Sequence, residues 1–130
     1  MGQYFKIVNL DKKQYLHPHE FGDGLKLTEF SFSGCGTMSG LAILLADGNG
    51  QGGGDLDSAN PIIGSWAGDR IVVAGDYAEN GKFVDGTIED ELKNIYSLAS
   101  DNWEDISKKV IEALMGDSYY KQNARRGFGE

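Results

Sequence analysis

Alternating apolar side chains open the chain and predict a β-hairpin. Residues 4–10 have the sequence Y-F-K-I-V-N-L, and Gln14–Leu16 follow after a polar D-K-K segment. Because successive side chains of a strand point to opposite faces, Lys6 and Val8 should share one face and Ile7 the other. β-Branched and aromatic residues favour strands, so the two runs are predicted to pair across the polar turn.

The middle of the chain contains three further apolar segments. Residues 61–66 and 70–74 flank an A-G-D turn sequence, and their β-branched content predicts a second hairpin. Residues 25–30 are predicted to form another short strand. Residues 37–46 are apolar nearly all round, which is typical of a short interior helix, with Thr37 as its N-cap.

The last third of the sequence has helical spacing. Apolar residues recur at positions 88, 92, 95 and 98, and Thr87 with Asp90 resembles a capping box. A second amphipathic helix is predicted to begin at Ser100 or Asp101 and to end at Gly116. Two helices therefore follow the strands.

Length and element order define the predicted fold class. The 130 residues match the size of a single domain, and strands precede helices without a repeated βαβ unit. The prediction is one α+β domain, residues 1–130, with a small, mainly antiparallel sheet from N-terminal hairpins, one buried short helix and two C-terminal amphipathic helices. Residues 121–130 are predicted to be a mobile tail.

The net charge of −8 disfavours two classes of partner. Binding to a nucleic acid backbone or to an anionic membrane surface requires an excess of lysine and arginine. The single cysteine precludes an intramolecular disulfide, and the sequence shows neither a secretory signal pattern nor an apolar run of bilayer length. We therefore predict a cytoplasmic location, with no nucleic acid partner and no membrane partner.

Three segments carry a resemblance to known sequences. The opening M-G-Q-Y-F-K-I-V-N-L-D-K-K, the later H-P-H-E-F-G and the run G-S-W-A-G-D-R-I-V-V-A-G-D-Y resemble a family of small uncharacterised bacterial proteins. The likeness covers residues 1 to about 80. Since no activity is established for that family, the resemblance implies no function and assigns no functional residue.

Glycine enrichment indicates one candidate ligand site. The chain has 19 glycines, against about nine at average usage, and eight of them lie within residues 34–54. Cys35, Gly36 and Thr37 directly precede the predicted interior helix, where backbone N–H groups can bind an anion. The alternatives are a tight structural loop or a Cys35 nucleophile with a histidine base.

A second candidate group surrounds the predicted central hairpin. Trp66, Asp69, Arg70 and Asp76 together offer a stacking surface, a cation for phosphate or carboxylate, and acceptors for hydroxyls or amines. The alternative is structural: Trp66 in the core, Asp69 in a turn, and Arg70 in a surface ion pair.

Two weaker patterns indicate metal binding. His17 and His19 are separated by one residue and have a carboxylate next to them. Asp47, Asn49 and Asp55 lie at the positions of calcium ligands in a glycine-rich loop, but Ser occupies the position that normally carries a bidentate Glu. A loop whose polar side chains cap its own backbone explains the same pattern.

These observations leave three functions open. The first is a non-catalytic module that binds a small ligand, such as a nucleotide-like signalling molecule. The second is an acidic protein-interaction module or inhibitor, since residues 85–117 carry nine acidic residues against three lysines. The third is a hydrolase that uses either a metal or Cys35. The sequence specifies no cofactor, favours a small-molecule or protein partner, and leaves open a homo-oligomer.

Overall fold

The structure of the chain is a computed structural model. It describes residues 2–32, 34–57, 59–83, 88–117 and 120–121. Within these ranges the chain forms a small α+β fold, as predicted. Thr87 of the predicted capping box and residues 122–130 of the predicted tail lie outside the described residues.

One mixed sheet lies at the centre of the described chain. Its strands are β1 (Phe5–Asn9), β2 (Gln14–Leu16), β3 (Ile71–Gly75) and β4 (Glu104–Asp105). Their order is β3-β1-β2-β4; β1 is antiparallel to both β2 and β3, and β2 is parallel to β4. The pairing of β1 with β2 confirms the first predicted hairpin.

Helices cover both faces of the sheet. They are α1 (Leu27–Ser31), α2 (Thr37–Leu45), α3 (Ile88–Glu91), α4 (Ile95–Asn102) and α5 (Ser107–Met115), with a 3₁₀ turn at Pro18–Phe21. The predicted interior helix is α2, which packs against α5 through Gly40. A Cβ at Gly40 would lie 2.8 Å from the Phe21 ring and 2.9 Å from Val110, so this glycine permits the close approach.

For the second predicted hairpin, the prediction of one of the two strands is wrong. Residues 61–68 form successive turns, and the partner of β3 is β1. The N–H groups of Gly64 and Trp66 instead donate to the carbonyls of Ile43 and Leu44 at the end of α2. Gly64 has a φ of +79°, so the backbone bends where a strand would need to extend. This segment terminates α2 rather than extending the sheet.

Three further predictions about elements are wrong. The apolar stripe at positions 88, 92, 95 and 98 is divided between α3 and α4, and Leu92 is exposed. Residues 25–30 contain the start of α1 rather than a strand, and the Lys26 N–H donates to Glu29 Oε1, as at many helix N-termini. Asp101 lies inside α4, whose N-cap is Asn94. The final helix begins at Ser107, where the N–H donates to Asp105 Oδ1.

Two hydrophobic clusters lie on opposite faces of the sheet. The larger cluster contains Ile7 and Leu16 and packs against α2 and α5. The smaller cluster contains Val8 and Tyr15 and packs against α4. Adjacent residues of β1 and of β2 therefore contribute to different clusters, as strand geometry requires.

Candidate functional site

The turn between β1 and β2 is organised by a buried asparagine. Asn9 is fully buried, and its Oδ1 accepts hydrogen bonds from the N–H groups of Asp11 and Lys12. Its Nδ2 donates to Asp69 Oδ2 over 2.8 Å. The turn ends at Lys13, which adopts a left-handed conformation with a φ of +56°. Asn9 thus fixes the backbone that presents Lys13.

Arg70 is attached to the same turn by Asp11. The Arg70 N–H donates to Asp11 Oδ2 over 2.7 Å, and its Nε donates to Asp11 Oδ1 over 2.9 Å. The hydrogen bond from the Arg70 backbone, followed by that from its side chain, lowers the pKa of Asp11. Bonds from Asn9 and then Lys12 likewise lower the pKa of Asp69. Both carboxylates orient the turn and the arginine.

A cavity of about 270 Å³ opens beside this turn. It lies between the turn, the start of β3, and α3 with α4. Its lining residues are Leu10, Lys13, Arg70, Phe83, Asp90, Leu98, Asn102 and Trp103. The lining combines two cations, one carboxylate and two large aromatic rings, so it offers both charge recognition and stacking.

Backbone strain is concentrated at this cavity. Among the described residues, Lys13 and Phe83 are the non-glycine residues with positive φ, at +56° and +67°. Such conformations cost about 1–3 kcal/mol each and occur preferentially at ligand-binding and active sites. Both of these residues line the cavity beside Arg70.

The structure separates the four residues predicted to form a cleft. Trp66 is fully buried in the larger core, and its Nε1 donates to Gln14 Oε1 over 2.8 Å. Asp76 follows β3 at the opposite end from Arg70 and accepts the Tyr4 N–H. Of the four residues, only Arg70 lines the cavity, while Asp69 supports the adjacent turn.

Trp103 is the cavity tryptophan that the sequence did not indicate. It follows α4 and packs against the smaller core. The helix predicted from Ser100 or Asp101 to Gly116 would include Trp103, whereas Trp103 is the C-cap residue of α4. The end of α4 and the short strand β4 direct Trp103 towards Arg70 and Lys13, which no local sequence pattern indicates.

The predicted anion site before α2 holds a carboxylate of the chain itself. Asp23 Oδ2 accepts the Thr37 N–H over 2.8 Å and the Thr37 hydroxyl over 2.6 Å, and both residues are buried. Gly36 rather than Thr37 is the N-cap of the helix. Cys35 is half-buried and packs against the larger core. This loop therefore acts as an internal helix cap.

The predicted metal ligands are dispersed or occupied by other contacts. The rings of His17 and His19 lie 5.9 Å apart, centre to centre. Asp55 accepts the N–H groups of Gly50 and Gln51, and Asn49 bonds to both backbone groups of Leu56. Within the described part of the chain, no three His, Cys, Asp or Glu side chains, Asp47 included, cluster as metal ligands.

A buried lysine forms another polar site that the sequence did not indicate. Lys6 is 7% exposed, and its Nζ donates to Ser100 Oγ over 2.5 Å. The same nitrogen lies 4.5 Å from the centre of the Tyr96 ring and 5.1 Å from that of Tyr15. Burial lowers the pKa of Lys6, more than Asp105 and Asp101 raise it. The contact attaches α4 to the sheet.

Comparison with known proteins finds no matching family model, no matching curated protein and no matching solved structure. The resemblance of residues 1 to about 80 to small bacterial proteins therefore stays a prediction. In the described part of the chain, every helix is too short or too polar to cross a bilayer. The geometry of the cavity is the basis for a functional proposal.

Proposed function

We propose that this protein is a non-catalytic binding module for a small anionic ligand, which occupies the cavity beside Arg70. The main support for this proposal is that strained backbone and an arginine side chain occur at the same cavity. Lys13 and Phe83 both have positive φ and both line a cavity that also contains Arg70. Evolution retains such strain where a defined backbone position benefits binding.

The charge of the cavity differs from that of the whole protein. The chain has a net charge of −8, whereas at the cavity Lys13 and Arg70 are balanced by Asp90 in the lining and by Asp11, which pairs with Arg70. Asp11, outside the lining, fixes the orientation of the Arg70 guanidinium, which lowers the entropic cost of binding an anion. A lysine and an arginine side chain together bind a phosphate or carboxylate group.

The remaining lining favours a planar ligand of limited size. Trp103 and Phe83 supply aromatic faces. Small-molecule pockets usually have volumes of roughly 300–1,000 Å³, so a cavity of about 270 Å³ suits at most a mononucleotide. A nucleotide-like signalling molecule of that size combines the required ring and anionic group.

The test combines ligand detection with one substitution in the cavity. Native mass spectrometry of the purified protein detects a retained ligand, and titration calorimetry measures binding of 5′-AMP and 5′-GMP. Arg70→Gln should weaken binding at least tenfold, because a charge-assisted hydrogen bond contributes about 1.5–3 kcal/mol. Unfolding in urea should remain cooperative, since the Arg70 side chain is largely exposed.

Lys108→Gln provides the matched control. It removes one positive charge from an exposed position on α5, outside the cavity lining. Its affinity for the same nucleotides should equal that of the wild type. If Arg70→Gln and Lys108→Gln bind a nucleotide equally well, the Arg70 side chain does not contact that nucleotide. If neither mass spectrometry nor calorimetry detects a ligand, the proposed function is wrong.

A further inference from the structure

The outer side of β3 presents unpaired backbone groups. In the order β3-β1-β2-β4, β3 is an edge strand. The Leu10 N–H donates to the carbonyl of Arg70, the residue directly before β3. Since hydrogen-bonded and non-hydrogen-bonded pairs alternate along an antiparallel ladder, the N–H and C=O groups of Ile71, Val73 and Gly75 point away from β1. Within the described part of the chain, the backbone groups of Val73 have no hydrogen-bond partner.

Strand β3 lacks the features that normally protect a sheet edge. Monomeric proteins protect such edges with charged side chains, prolines or bulges. The sequence of β3 is I-V-V-A-G, and its five residues pair with β1 in continuous register. Val73, at the centre of the strand, is 41% exposed. The edge can therefore accept another strand that continues the sheet.

A groove of about 470 Å³ runs along this edge, between β3 and the segment 77–83. Two aromatic side chains of that segment are exposed, Tyr77 by 66% and Phe83 by 54%. The charged residues of the groove lining are Glu79 and Lys82, and both are exposed. Among the described residues, neither of them forms an ion pair. The groove thus offers apolar surface together with one charge of each sign.

The two charges of the groove lie towards opposite ends of β3. Glu79 follows the residue whose N–H donates to the Gly75 carbonyl, at the end of the strand. Lys82 is adjacent to Phe83, which lines the ligand cavity together with Arg70 at the start of the strand. The segment 77–83 therefore runs back along β3, with its acidic residue towards the end of the strand and its lysine towards the start.

A second copy of the chain fits this arrangement of charges. When a two-fold axis at Val73 relates two antiparallel β3 strands, the start of each strand lies against the end of the other. Lys82 of each copy then faces the end that carries Glu79 of the other copy. Symmetry therefore provides two contacts between opposite charges. The two Val73 side chains become direct cross-strand neighbours, which is a favourable position for β-branched residues.

We propose that the protein forms a two-fold symmetric homodimer, in which the β3 edges of two copies pair as antiparallel strands in register about Val73. The two four-stranded sheets join into one sheet of eight strands. Backbone hydrogen bonds between the two β3 strands supply the affinity, and the contacts between Lys82 and Glu79 fix the register. Dimerisation needs no ligand in the cavity and so extends beyond small-ligand binding.

The first experiment places like charges on the two-fold axis. Sedimentation velocity over a range of protein concentrations measures the dissociation constant of the dimer. Val73→Lys should weaken dimerisation at least tenfold, because the two substituted side chains lie directly opposite each other and repel. Val73→Thr keeps the β-branched shape and should dimerise as the wild type does. Circular dichroism should show that both variants are folded, since Val73 belongs to neither hydrophobic cluster.

The second experiment exchanges the two charges of the groove. Lys82→Glu and Glu79→Lys should each weaken the homodimer about tenfold, because both symmetry-related contacts become repulsive. An equimolar mixture of the two variants should dimerise as tightly as the wild type, because every contact in the mixed dimer again joins opposite charges. Lys108→Glu makes the same charge change on α5, outside the groove, and should leave the dissociation constant unchanged.

Three results would overturn the proposed dimer. The first is a wild-type protein that remains monomeric at millimolar concentration. The second is a dimer whose dissociation constant is the same in Val73→Lys as in the wild type, because the copies would then meet at another surface. The third is a mixture of Lys82→Glu and Glu79→Lys that dimerises no more tightly than either variant alone, because the two residues would then not face each other.

Discussion

At the scale of single residues, the two histidines differ in environment although the sequence places them together. His17 is half-buried, and its Nδ1 is a buried atom without a hydrogen-bond partner among the described residues. Burial, with a smaller contribution from Lys6, lowers the pKa of His17 below 6.5. His19 is exposed. The pair therefore behaves as one structural and one surface residue.

This difference predicts a pH effect on stability. Because the folded state lowers the pKa of His17, it binds fewer protons than the unfolded state below pH 6.5. Stability is thus present above the unfolded pKa and falls as the pH decreases through it. His17→Gln should lose less stability between pH 7.5 and 5.5 than the wild type in urea unfolding. His19→Gln, as the comparison, should keep most of the wild-type loss, because His19 is only a minor cause of the lowered pKa of His17. Equal losses in all three would refute the assignment.

The outcome at Trp66 and Arg70 shows how far residue type predicts a site. The sequence left Arg70 open between a cleft and a surface ion pair, and in the structure Arg70 both lines the cavity and pairs with Asp11. For the cleft it named Trp66 and not Trp103. Trp66 and Trp103 have the same chemistry, and only the fold decides which ring lies in the core and which lines the cavity.

At the scale of elements, short sequence patterns predicted those elements that form through contacts between neighbouring residues. The hairpin of β1 and β2 was predictable because its alternation and its turn are adjacent in sequence. Residues 61–66 have equal strand propensity, yet their N–H groups bond to the end of α2, which no local pattern reveals. The parallel pairing of β4 with β2 joins Gln14 to Glu104 and is equally invisible in a short window.

The start of α2 gives a prediction at this scale. Asp23→Ala should lower the free energy of unfolding by about 2 kcal/mol, because it leaves the buried N–H and hydroxyl of Thr37 without their acceptor. Asp47→Ala is the charge-matched control at the exposed far end of the same helix and should change stability by less than about 0.5 kcal/mol. Urea unfolding measures both. A loss below about 0.5 kcal/mol in Asp23→Ala would show that Asp23 does not cap α2.

At the scale of the whole molecule, the sheet joins two cores of unequal size. The larger cluster holds α2 and α5 on one face, and the smaller holds α4 on the other. The lining of the ligand cavity includes Leu10 and Trp103, which pack against the smaller cluster, so ligand binding depends on the smaller core. A layer held by such a small cluster can unfold before the rest of the protein, unless the strands couple its unfolding to that of the larger core.

The two tryptophans report separately on these cores and test their coupling. Ile7 and Val8 are adjacent in β1 and belong to opposite cores, so loss of one packing face should disrupt the other. We expect one cooperative transition, as for most single domains of this size.

In Trp66→Phe the remaining Trp103 reports on the smaller core, and in Trp103→Phe the remaining Trp66 reports on the larger core. Within each variant, the urea midpoints from fluorescence and from far-ultraviolet circular dichroism should coincide. If Trp103 fluorescence changes at lower urea than the dichroism of the same variant, the α4 layer opens independently, and the ligand cavity would then open with it while the main core stays folded.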